Sequence, residues 1–160
     1  MKLEILCTQV QELAREVGQF IDGERLKFTS DDIIHKGKAD MVTYVDKTSE
    51  ARIVEKLRKI LPGSGFIAEE GTAMDNGEKY RWVIDPLDGT TNYIHGISPF
   101  CVSIGLMEDQ EVILGVVYEI SLDEMFYAWK GSKAYLNGRE IQVSKASSTA
   151  DSLIATGFPY

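Results

Sequence analysis

Trp82-Val83-Ile84-Asp85-Pro86-Leu87-Asp88-Gly89-Thr90-Thr91-Asn92 carries the densest chemical information in the chain. An apolar run ends in two carboxylates three residues apart. Pro86 fixes its own φ and removes a donor, so the link between them is stiff. Gly89 allows a close backbone approach to a ligand. Thr90-Thr91-Asn92 reads as a helix start, whose unpaired N–H groups suit an anion such as phosphate. One short segment therefore offers oxygens to a hard cation and amides to an anion. A capped turn would explain Asp88-Gly89 but not Asp85, since a carboxylate directly after Trp-Val-Ile is costly to bury without a partner.

Upstream, Phe66-Ile67-Ala68-Glu69-Glu70-Gly71 repeats the pattern of a short apolar strand ending in acids. Two such strands at one sheet edge place Glu69, Asp85 and Asp88 around one point. Three mutually repelling carboxylates call for cations, and an all-oxygen donor set suits Mg²⁺ or Mn²⁺ rather than zinc. Glu70 alone fits a solvated loop equally well. His35 and His95 stand isolated and make no softer site. Further upstream lies Lys38-Ala39-Asp40-Met41-Val42-Thr43-Tyr44-Val45-Asp46, where local pattern makes Asp46 a helix N-cap.

The surrounding pattern is α+β: two N-terminal helices packed on a largely antiparallel sheet. Leu3, Leu6, Val10, Leu13, Val17 and Phe20/Ile21 step by three and four, which predicts a helix over 3–21 that Gly23 ends. A second helix is predicted from about Thr48 to Leu61, started by Asp46, Thr48 or Ser49 and stopped by Pro62-Gly63. Strands are expected at 65–68, 81–84, 100–106, 112–118, 125–129 and 141–143. Glu108-Asp109-Gln110 reads as a hairpin tip and Asn137-Gly138 as a tight hairpin turn. Ser152–Phe158 has the composition of a further strand. No repeat or linker divides the 160 residues.

Composition removes several classes of function. Seventeen basic against 25 acidic residues give a net charge of −8, which argues against direct nucleic-acid binding. The longest apolar runs, such as Val112–Val117, are too short to span a membrane. Glu4 interrupts any signal-peptide core, and Cys7 and Cys101 read as reduced thiols of a cytoplasmic protein.

The quoted motifs, with Asp40–Asp46 and the later Thr156-Gly157-Phe158-Pro159, resemble the inositol monophosphatase family of Mg²⁺-dependent, lithium-sensitive phosphomonoesterases. The resemblance implies that residues 1–160 form the first half of a layered sugar-phosphatase fold, with the C-terminal α/β half absent. It implies Glu69, Asp85 and the Leu87 carbonyl as ligands of a first metal, and Asp85 and Asp88 as ligands of a second. It makes Asp88, Gly89 and Thr90 substrate-binding, the amides of Gly89 and Thr90 meeting the phosphate. Asp46 and the Thr90 hydroxyl would orient and activate water, Glu70 lying behind the ligands. Two or three Mg²⁺ ions, or Mn²⁺, are implied, with no covalent enzyme intermediate. The family's further metal-binding Trp-Asp pair has no counterpart, since Val83 follows Trp82 and Lys130 follows Trp129.

The implied reaction is hydrolysis of inositol-1-phosphate, a small phosphorylated substrate, with little activity expected of the 160 residues alone. Another sugar phosphate, fructose-1,6-bisphosphate or a nucleotide 3′-phosphate stays open on the same metal site, although Thr91-Asn92 favours the inositol type. A non-catalytic regulatory binding protein is the alternative of another class. Apolar residues around Leu153, Ile154 and Phe158 lead us to expect self-association, as a homodimer or otherwise.

Overall fold

The computed structural model describes residues 2–27, 38–71, 74–75 and 79–156, with 38–43 and 74–75 described by backbone alone. Two long helices lead: α1, Leu3–Arg25, and α2, Lys38–Ile60. They are followed by β1 (Gly65–Ala68), β2 (Met74–Asp75), β3 (Tyr80–Asp88), the short α3 (Thr90–His95), β4 (Cys101–Glu108), β5 (Glu111–Glu119), β6 (Glu124–Trp129), β7 (Ala134–Leu136) and β8 (Arg139–Ile141). The strands form one eight-stranded sheet in the order β2-β1-β3-β4-β5-β6-β7-β8. Only β1 and β3 run parallel; every other neighbouring pair is antiparallel. Among the described residues no helix is long and apolar enough to cross a membrane.

The core lies between the helices and one face of the sheet. Leu6, Val10, Leu13, Val17 and Ile21 of α1 are buried, as the three-and-four spacing requires. So are Val45, Ile53 and Leu57 of α2. They meet the alternating residues Trp82 and Ile84 of β3, Val102, Ile104 and Leu106 of β4, and Leu114, Val116 and Tyr118 of β5. Gly18 lets α1 come close: a Cβ there would lie 2.5 Å from the Tyr118 ring. The opposite face is partly open, with Val83 37% and Val117 36% exposed.

Four expectations are corrected. α1 runs through Gly23 to Arg25, because a helical glycine costs only about 1 kcal/mol and the last turn gains the Asp22–Arg25 ion pair at 2.8 Å. α2 begins at Lys38, about ten residues early, so Asp46 lies in the helix interior and is not an N-cap. Val45 is buried with Ile53 and Leu57, so the helix already packs on the core before Asp46. The last strand covers Arg139–Ile141 rather than 141–143. Residues 152–156 form no strand; Leu153 and Ile154 are exposed, and Gly157–Tyr160 lie outside the described residues, as does His35.

The hairpin signals hold. Asp109-Gln110 joins β4 to β5, pairing Glu108 with Glu111. Asn137-Gly138 joins β7 to β8 with Leu136 opposite Arg139, both turn residues at positive φ. β2 and β7, of two and three residues, are too brief to show a sequence pattern.

Candidate functional site

The sheet register carries the acids to one end. Ala68 of β1 pairs with Ile84 of β3 in parallel, and the Glu69 N–H donates to the Ile84 carbonyl at 3.3 Å. Glu69 therefore leaves β1 one step beyond the ladder, beside Asp85. On β3 the alternation sends Trp82 and Ile84 into the core and Val83 and Asp85 to the other side. The β3–β4 register then shifts between Asp85 and Asp88, which pair with Ser103 and Cys101 respectively. This irregularity coincides with Pro86, which has no N–H for the ladder. The Leu87 N–H turns back to Asp85 Oδ1 at 3.2 Å. Behind the site, Trp82 Nε1–H donates to Ser64 Oγ at 3.0 Å and fixes β3 against the turn between α2 and β1.

The turn into α3 is set by Gly89, whose φ is +87°. A Cβ there would lie 2.8 Å from the Pro99 carbonyl and 3.2 Å from Phe100 Cα. Glycine is thus required by the chain's own packing, a reason the sequence alone does not show. Asn92 Nδ2 donates to the same Pro99 carbonyl at 2.8 Å. The Tyr93 hydroxyl donates to the Ile21 carbonyl of α1 at 3.1 Å, and its ring meets Phe100 edge-on at 5.4 Å. These contacts hold a six-residue helix in place. His95 is exposed in its last turn.

Electrostatics confirm that the acids crowd one another. Burial, then the charges of Glu70, Asp85, Glu69 and Glu50, push the Asp46 carboxyl up to about 7. Asp85 is also held well above the usual carboxylate range, first by burial and then by Glu69, which lies within hydrogen-bonding reach, with Asp88 adding to it. Asp46 on α2, Glu69 and Glu70 after β1, and Asp85 and Asp88 on β3 thus share one electrostatic neighbourhood. Among the described residues, no three His, Cys, Asp or Glu side chains close around a single point as a finished cation cage. The Thr90 hydroxyl donates to the Leu87 carbonyl at 3.0 Å, so it is not engaged with Asp46 in this arrangement. That carbonyl keeps a second lone pair for another partner.

Two residues join the neighbourhood that the sequence did not single out. Glu50 is fully buried and accepts the Glu70 N–H at 2.7 Å. Its only sequence signal is its position one turn after Asp46, beside the apolar stripe of α2. Cys101 donates weakly to Asp88 Oδ2 at 3.8 Å, and burial together with Asp88 and Asp85 raises its thiol to about 12. It borders an open cavity of about 320 Å³ with Asp88, Gly89, Phe100, Glu119 and Phe126. Cys7 is buried, and neither thiol is in a disulfide.

The family model described as "Inositol monophosphatase family" matches residues 2–160. The chain belongs to the inositol monophosphatase family. It is 43% identical over 142 residues to the "Fructose-1,6-bisphosphatase/inositol-1-monophosphatase" of Aquifex aeolicus, covering 89% of this chain and 54% of that protein. It is 42% identical over 150 residues to "Inositol monophosphatase 2" of Solanum lycopersicum, covering 91% and 56%. Among solved structures, the inositol monophosphatase from Anabaena (Nostoc) superposes with a TM-score of 0.78 at 35% identity, covering 92% of this chain and 52% of that one. The chain thus spans about half the length of the relatives it matches.

Proposed function

We propose that the chain supplies the catalytic acids of a divalent-cation-dependent phosphatase acting on inositol-1-phosphate. One observation carries this reading: acids of α2, of the turn after β1 and of β3 come together at one end of the sheet, where burial first and the neighbouring charges second raise the Asp46 carboxyl. Clustered repelling carboxylates are costly to a fold unless a cation offsets them. The donor set is all oxygen and fits Mg²⁺ or Mn²⁺. Glu69, Asp85, Asp88 and the Leu87 carbonyl would hold the ions. Bound there, Mg²⁺ supplies Lewis acidity towards phosphoryl oxygens and makes water a competent nucleophile at neutral pH.

The chain's own residues do the rest. The Gly89 and Thr90 amides, at the opening of α3, meet the anionic ester. Asp46, beside these acids on α2, is the carboxylate that would accept a proton from water. The Thr90 hydroxyl, released from Leu87, relays that proton by donating to Asp46 while accepting from water. Asp88 binds at the substrate side, and Glu70 stands behind the ligands. The reading places the protein in the cytoplasm as a self-associating enzyme, with Leu153 and Ile154 as exposed apolar contacts. The name of the Aquifex relative joins two sugar-phosphate activities, so fructose-1,6-bisphosphate is the second substrate of interest.

The test is phosphate release from inositol-1-phosphate with and without Mg²⁺, on this chain and on a full-length relative. We expect Mg²⁺-dependent release by the relative and little by the 160 residues, whose second ion keeps only Asp85 and Asp88. Mg²⁺-independent hydrolysis, or a chain that takes up no Mg²⁺, would overturn the reading. Mg²⁺ uptake by a full-length protein inert on every phosphate ester would favour a regulatory binding protein instead.

A further inference from the structure

We infer that Glu50 is a positioning residue that holds the Glu69-Glu70 turn in register with Asp85; this rests on the cation reading proposed above. Glu50 lies on α2, one helical turn beyond Asp46, and is fully buried. A carboxylate removed from water needs hydrogen bonds, and one of those it makes is to the Glu70 backbone N–H at 2.7 Å. The bond joins elements 20 residues apart in sequence. It reaches the turn directly after β1, where the Glu69 N–H still bonds to β3 through the Ile84 carbonyl.

The turn is therefore held on two sides. β3 holds it by a backbone bond at Glu69, and α2 holds it by a side chain at Glu70. The Gly71 N–H closes it by donating to the Ala68 carbonyl at 3.3 Å, with Gly71 at φ +71°. The Glu69 side chain is exposed, so apart from its neighbour Asp85 little besides the backbone fixes where its carboxylate stands. The backbone has to do so, and Glu50 is the side chain that grips it. The sequence has a matching economy, since Asp46 and Glu50 stand at i and i+4 on one helix face. One turn of α2 then presents a proton acceptor and an anchor to the same neighbourhood. Groups that orient metal ligands without touching the metal commonly matter about 10–100-fold in affinity.

The experiment measures Mg²⁺ affinity by calorimetry, and the Glu70 amide by ¹H–¹⁵N NMR, for the unmodified chain and for Glu50→Ala, Glu50→Gln and Ile53→Ala. Ile53→Ala removes fully buried packing one turn along the same helix and controls for lost stability. Expected are a roughly 10-fold or larger weakening for Glu50→Ala, a smaller one for Glu50→Gln, which keeps an acceptor oxygen, and no more than about a twofold change for Ile53→Ala. The Glu70 amide proton should move upfield in Glu50→Ala, because it loses a charged acceptor. Equal Mg²⁺ affinity in all four proteins would overturn the inference, as would an Ile53→Ala loss matching that of Glu50→Ala. Absence of Mg²⁺ binding by the unmodified chain is a different result: it removes the cation reading and this inference with it.

Discussion

Asp88-Gly89 and Asn137-Gly138 are nearly the same dipeptide, and both bend the backbone through a glycine at φ near +85°, +87° in one and +82° in the other. Their surroundings differ completely. At Asn137 the side chain is used up by the turn: it accepts the Met125 N–H at 2.9 Å and donates to the Asp123 carbonyl at 3.0 Å. A Cβ on Gly138 would meet nothing within 4 Å. At Asp88 the carboxylate is exposed, its one hydrogen bond among the described residues being the weak thiol contact from Cys101, and it adds to the charge around Asp85. A Cβ on Gly89 would collide with Pro99. The same local chemistry closes a hairpin in one place. In the other it turns a strand into a short helix and leaves an acid available. A turn whose polar groups are satisfied is structural; one that leaves a carboxylate unspent among other acids is a candidate site.

The sharpest way to test that distinction is to remove the crowding itself. In a chain containing the full site, Asp85→Asn should lower kcat on the order of 10³-fold, the scale seen when one electrostatic stabiliser of a transition state is lost. Without Mg²⁺ the same variant should melt no lower than the unmodified protein, because one repelling charge has gone. A variant that kept most of its turnover, or that was strongly destabilised without Mg²⁺, would place Asp85 among structural residues.

Next in size is Gly89→Ala. It combines left-handed backbone strain with a 2.8 Å approach to Pro99 O, and should cost about 2–4 kcal/mol in urea unfolding. A loss below 1 kcal/mol would mean that the Pro99–Phe100 segment yields freely.

A smaller effect should appear in the pH dependence. Asp46 has a folded-state pKa of about 7, above its ordinary value of 3.8, and Asp85 is shifted in the same direction. Between those limits the folded chain binds more protons than the unfolded one, so these groups make stability fall as pH rises from about 4 to 7 and level off above it. The melting temperature without Mg²⁺ should therefore be lower at pH 8 than at pH 5.5. Millimolar Mg²⁺ should narrow the gap by binding the ionised acids. A gap unaffected by Mg²⁺ would point to groups elsewhere.

The comparison also separates what was legible in the sequence from what was not. The short runs rich in Val, Ile, Phe and Tyr at β3, β4 and β5 and the three-and-four spacing of α1 are local patterns, so they read directly. The end of β1 before Glu69 was legible for the same reason, whereas β3 runs past the expected end at Ile84 to Asp88, with Leu87 buried, across the irregularity at Pro86. Asp46 was misplaced as a cap because the helix begins eight residues earlier, at Lys38, and the burial of Val45 that accompanies that early start is set by the tertiary fold. Glu50 was invisible because its role depends on a backbone N–H 20 residues away. Gly89 was read as allowing a ligand close to the backbone; that Pro99 and Phe100 leave no room for a Cβ there depends on the tertiary fold.

Gly138→Ala closes the comparison and should have the smallest effect. Alanine at φ +82° pays left-handed strain of about 1–2 kcal/mol. It recovers part of that, about 0.4–1 kcal/mol, because alanine leaves the unfolded chain fewer conformations than glycine. Open space around the new methyl group means that no neighbour has to move. The net loss should be about 1 kcal/mol or less, with Mg²⁺ affinity unchanged, since β7 and β8 form the far edge of the sheet from β1. Urea unfolding and Mg²⁺ calorimetry on the same preparation check both halves. A loss equal to that of Gly89→Ala would show that positive φ alone governs both turns and that the Pro99 contact contributes nothing. A change in Mg²⁺ affinity would show that the hairpin edge and the acidic end are coupled through the sheet, and that the division drawn between the two turns is wrong.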